Sequence, residues 1–239
     1  MPHFPFQRLQ ADLAELIAKL PPGTRLLSEP DLAAELGVSR ATLREAMRTF
    51  ETQGLIRRRQ GAGTFVVGQP PVMEDGLELL ESMLTMARRT NMNVGPGPVS
   101  VERILATDEF ARALDVPLET PLVRVSRTMS VDTRPVAYLV DVLPEEILHP
   151  DELTGKFSGS VLDYLIQRGD PLTVSRTEVT ASNATADVAK KLELQRGDVL
   201  LHFTAKLFTA SAKVVDYSHS YFVPGYFKFH VVRKVGGAQ

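Results

Sequence analysis

The stretch "GVSRATLREAMRTFETQGLIRRRQGAGTFVV", residues 37–67, constrains this chain more than any other. Between Gly37 and Gly54, the apolar Leu43, Ala46, Met47 and Phe50 recur at helical spacing, which predicts a helix over 40–53 with one buried stripe. Ser39 is placed to cap it, since a serine oxygen accepts from the orphan amides of a first turn. Arg40, Thr42, Arg44 and Arg48 lie off the buried face, the arginines at i, i+4 and i+8 along one side. After Gly54, "LIRRR" and "TFVV" are two β-prone runs around "QGAG", a hairpin signature. Gly61 and Gly63 keep the hairpin tip free of Cβ atoms, so its backbone can approach a phosphate or enter a minor groove. Three consecutive arginines cannot all face one way in a strand, so two of the three are expected to serve phosphates, and Arg58 joins the candidate contacts.

Upstream, Leu9, Leu13, Leu16, Ile17 and Leu20 form one helix face, closed by "PPG" at 21–23. Ser28 with Asp31 three residues on resembles a capping box, and "DLAAEL" runs to Gly37, a C′ glycine. Two short helices joined by a tight turn, the second faced with arginine and followed at once by a hairpin, read as a winged helix-turn-helix. Charge agrees. The chain carries −2 overall, yet residues 1–68 hold 9 Lys/Arg against 7 Asp/Glu, and 69–239 hold 18 against 22. A basic patch on an acidic chain fits one surface built for a polyanion.

On "GTRLLSEPDLAAELGVSRATLREAMRTFETQGLIRRRQGAGTFV" the chain resembles the DNA-binding domain of GntR-family bacterial transcription regulators. The resemblance implies that Arg40 and Arg44 read bases or hold phosphates in the major groove. Ser39 and Thr42 would contact the backbone, and Gly63 would sit at the minor-groove wing tip. It also implies a homodimer on double-stranded DNA, at a short palindromic operator. One departure stands out: the family's usual Pro-Ser-Glu-Arg is here Leu27-Ser28-Glu29-Pro30, so a proline replaces an arginine that normally contacts DNA.

"VGQPPVMEDG" breaks periodicity with two prolines, giving a winged helix-turn-helix over 1–68, a linker over 69–76 and a second domain over 77–239. A helix-like run, "LELLESMLTMARRTNM", follows, and "NVGPGPVS" breaks the chain again. Residues 113–144 and 191–224 form a weak repeat, each a short helix, a strand, a turn and a strand. The helix "GSVLDYLIQRG" separates them, and strands at 173–181 and 227–234 complete an antiparallel sheet, an α+β domain. "LVRVSR", "RPVAYLVDVLP", "GSVLDYL" and "VVDYSHSYF" resemble the UTRA effector-sensing domain of the HutC-type branch, which implies a chorismate-lyase-like fold.

Alternation places Val123, Val125, Arg127 and Met129 on one strand face, where the second repeat has Leu201, Phe203, Ala205 and Leu207. A buried guanidinium needs an anionic partner. That partner is either Asp141 or Asp216, in a structural ion pair, or the carboxylate or phosphate of a small-molecule effector. The resemblance favours the effector and implies further contacts at Ser160, Asp216, and Tyr221 or Phe222. It also implies an arginine, a glutamate and a tyrosine where this chain has Met129, Leu139 and Leu162, so the anionic effector is less charged and more apolar than an amino-sugar phosphate.

Cysteine is absent, which excludes disulfides and thiolate chemistry, and the five histidines show no helical ligand spacing, so neither metal nor cofactor is expected. No apolar run approaches a membrane span and the N-terminus lacks a signal peptide's core, so the cytoplasm is the expected location. Tyr217, His219 and Tyr221 alternate on one face, a pattern that suits packing better than catalysis. An effector-released repressor is the leading reading. A constitutive DNA binder with a purely dimerising second domain stands behind it, and an enzyme well behind both.

Overall fold

The computed structural model describes residues 5–67, 72–90, 92–153, 157 and 159–233. The chain divides into two compact units, Met1–Val72 with Pro224–Tyr226, and Met73–Val223 with Phe227–Gln239.

In the first unit α1 (Pro5–Lys19), α2 (Glu29–Glu35) and α3 (Arg40–Thr52) precede a hairpin of β1 (Ile56–Arg59) and β2 (Gly63–Val66). Leu9, Leu13 and Ile17 of α1 pack against Leu32 of α2, Leu43, Met47 and Phe50 of α3, and Ile56 and Val66 of the hairpin. Leu16 and Leu20 are only partly buried at its margin. Gly37, at φ +65, turns the chain between α2 and α3 in a conformation that costs a Cβ-bearing residue more. The hairpin has a third member that composition does not reveal. Leu26 N–H donates to Thr64 O at 2.8 Å, Val66 N–H to Thr24 O at 2.8 Å, and Arg25 bridges Phe65 in antiparallel fashion.

The second unit is built on a six-stranded antiparallel sheet of β4 (Val94–Leu105), β5 (Pro121–Val131), β6 (Arg134–Pro144), β7 (Leu172–Asn183), β8 (Val199–Thr209) and β9 (Val214–Phe222), in the order β4-β5-β6-β9-β8-β7. The weak repeat is therefore structural: α5 (Asp108–Leu114) leads into β5–β6, α7 (Ala186–Lys191) into β8–β9, and β6 pairs β9 at the centre. On one sheet face, Val123, Val125, Leu143 and Leu207 pack with Val161 and Leu165 of α6 (Val161–Arg168). On the other, Leu122, Val142 and Tyr217 pack with Ala113 and Leu114 of α5.

Four expectations need correction. The stretch "NVGPGPVS" belongs to β4, an edge strand that tolerates its prolines and carries a register shift between Pro96 and Val99. The helix expected from residue 77 is confined to α4 (Met83–Arg89), capped by Ser82. The linker is shorter than expected and the last strand lies elsewhere: β3 (Met73–Gly76) pairs in parallel with β10 (Phe227–His230) in a separate two-stranded sheet. Residues 68–71 lie outside the described residues.

Candidate nucleic-acid interface and effector-binding face

Ser39 caps α3, its Oγ accepting from Thr42 N–H at 3.1 Å, with the Ser39 and Thr42 hydroxyls 2.8 Å apart. Two of the expected backbone contacts thus form one polar pair at the helix N-terminus, beside the exposed Arg40. Ser28 caps α2, accepting from Asp31 N–H at 3.4 Å and donating to the Asp31 carboxylate. The neighbouring Glu29 does more than begin a helix. Its carboxylate sits 2.8 Å from Arg44 Nε and 3.2 Å from Arg58 Nη2, tying α3 to β1. Arg44 and Arg58 are exposed, whereas the Glu29 side chain is only 18% exposed, so the carboxylate lies under its two partners. Arg48 lies 3.6 Å from Glu45 on its own helix.

At the wing, Gly61 has open space around its Cα, and Gly63 does not. At Gly63 (φ +110) a Cβ would lie 2.7 Å from Arg25 Nε. The glycine expected from its approach to DNA is also favoured by its own backbone, since a φ of +110 strains any residue that carries a Cβ. All three arginines of β1 are exposed, and they divide by face: Arg58 pairs opposite the buried Thr64, Arg57 and Arg59 opposite Phe65 and Gly63.

In the second unit the sheet brings Arg127, Asp141 and Asp216 onto one face. Asp141 lies opposite Val125 and Ser218, which share that face with Arg127 and Asp216. Arg127 Nη1 donates to Asp141 Oδ2, and all three side chains are buried. The ionic partner within the chain is Asp141 and not Asp216. Asp216 is pushed well above the usual carboxylate range, first by burial and then by Asp141, with Arg127 pulling the other way. One guanidinium faces two carboxyl groups, and burial disfavours the charged form of Asp216. Two buried atoms of the set have no hydrogen-bond partner, Arg127 Nε and Asp216 Oδ1.

α6 packs on this same face, with the buried Ser160 as its cap, accepting from Asp163 N–H at 3.0 Å. Phe222 also shares the face, since 216, 218, 220 and 222 alternate with their neighbours along β9. Tyr221 does not. It stacks on the opposite face against His202, ring centroids 4.4 Å apart, beside His219 and Tyr138. Among the described residues no group of three His, Cys, Asp or Glu could hold a metal ion. No helix among them is long and apolar enough to cross a membrane.

Comparison with known proteins matches both units. The family model "UTRA domain" matches residues 91–228, and "Bacterial regulatory proteins, gntR family" matches residues 6–66. The chain is a GntR-family regulator with a UTRA domain. It is 28% identical over 205 residues to the HTH-type transcriptional repressor NagR of Bacillus subtilis, covering 84% of this chain and 82% of that protein. It is 26% identical to the probable fructoselysine utilization operon transcriptional repressor of Escherichia coli, covering 89% and 86%. The crystal structure of PhnF from Mycobacterium smegmatis superposes with a TM-score of 0.65 at 19% identity, over 95% of this chain and all of that one, a likeness of fold. This GntR-family regulator is a DNA-binding transcription factor and not an enzyme.

Proposed function

We propose that this regulator is a repressor that two copies bring to a short palindromic operator, and that a small molecule held on the Arg127 face of the sheet releases it. The observation that carries the DNA half is the capped α3, with Ser39, Arg40, Thr42 and Arg44 exposed on its first turns. Arg40→Ala and Arg44→Ala should each lose about 1–3 kcal/mol of operator binding in a titration against a selected duplex. Wild-type affinity in both would remove α3 from the major groove. The two relatives named above are repressors, which supports that direction of control.

For the effector, the geometry supports a ligand different from the anion expected of an unpaired arginine. The charge of Arg127 is already matched by Asp141, so an incoming anion meets no uncompensated cation. The free Nε–H of Arg127 and the free Oδ1 of Asp216 instead suit a group that accepts and donates at once, such as a hydroxyl or a primary amide. Melting curves and operator release, with sugars and amides set against their phosphorylated or carboxylated counterparts, test this. Neutral compounds should act; action by the anionic members alone refutes the ligand class. Release by none would leave the constitutive reading standing.

A further inference from the structure

The Arg25 segment bridges β2 of the two-stranded wing, and the outward face collects arginines that a motif does not show together. Directly opposed residues in an antiparallel ladder share a face. Phe65 stands opposite Arg57 on one side and Arg25 on the other. Arg59, two residues on from Arg57, shares that face, its guanidinium 5.4 Å from the centre of the Phe65 ring. Gly63 falls on the same side, and its missing Cβ leaves the space that Arg25 Nε occupies. Arg25, Arg57 and Arg59 are all exposed. Arg58 points to the other side, toward Glu29.

We propose that Arg25, Arg57 and Arg59 form a phosphate-binding face of the wing, gripping the DNA backbone beside the half-site that α3 reads. The stacked Phe65 ring orients Arg59 while leaving its in-plane N–H groups free to donate. Arg25 supplies a cation from the segment that pairs with β2, on the side of it away from β1. Backbone contacts of this kind position a protein without reading sequence. They add to affinity equally on any duplex and steepen its salt dependence.

The test is a salt titration of the full chain on an operator duplex selected with wild-type protein and on a scrambled duplex of the same composition. Each phosphate contact contributes about 0.9 to the slope of log affinity against log salt. Arg25→Gln should therefore lower the slope by about 0.9 per bound subunit on both duplexes, and the double variant R57Q/R59Q by about twice that. Arg25→Lys, which keeps a point charge, should hold the wild-type slope. Lys19→Gln removes an equal charge from an exposed pair with Glu15 on α1 and should leave the slope alone. A wild-type slope in Arg25→Gln overturns the proposal, whether affinity holds or falls. So does a loss confined to the operator, which would mean base reading. Wild-type protein that bound neither duplex would instead defeat the DNA-binding reading itself.

Discussion

Arg127 shows how far one residue can be read from its neighbours alone. Alternation puts it on a buried strand face and demands an anion, but two aspartates and an effector all satisfy that demand. Only the register of β5, β6 and β9 makes Asp141 the diagonal neighbour. Removing one partner of a buried pair leaves the other charge stranded, so Arg127→Met should destabilise the second unit by about 3–5 kcal/mol in denaturant unfolding. Asp216→Asn should behave differently. The folded state raises the Asp216 pKa above the unfolded value of about 3.9, so its favourable contribution is complete below that pH and is lost as pH rises through the folded value. An asparagine keeps the donor toward Asp141 without the ionisation. Stability measured from pH 4 upward should decline less in Asp216→Asn than in the wild type, and an equal decline would show that Asp216 is not the group responsible. Parity along β9 could have excluded Tyr221 in favour of Phe222 from the sequence itself, because Asp216 and residue 222 are both even-numbered positions of one strand.

At the scale of elements, those with periodic apolar residues and local caps were legible: α1, α2, α3, α6 and the hairpins β5–β6 and β8–β9 all follow from such signals. Those built by long-range pairing were not. β4 opens on glycine and proline, and the Thr24–Leu26 segment is too short to carry a period, so only their partners β5 and β2 define them. Ser39 has two roles that one substitution cannot separate by DNA affinity alone. Ser39→Ala should cost about 1 kcal/mol of stability through the lost cap, read by thermal melting without DNA. On β8 and β9, burial pushes the His202 and His219 imidazoles down, with Glu109 pulling His219 partly back. Their nitrogens lie 3.1 Å apart. Because the folded pKa values fall below the unfolded value of about 6.5, stability is fully present above that pH and is lost as pH falls through the folded values. Melting temperature should therefore drop on acidification below pH 6.5, and His202→Gln should blunt the drop. An undiminished drop in that variant would assign the effect to other groups.

At the scale of the whole molecule, two repeats of different chemistry form the middle of one sheet. The central ladder between β6 and β9 pairs six residues on each strand, whereas β7 and β8 pair eleven. Each half is an α-β-β unit, and the two meet back to back. Position 127 in one half is arginine, and its counterpart in the other, 205, is alanine. The frame is shared and the charge is not: one half sets a buried cation at this place, and the other sets a methyl group.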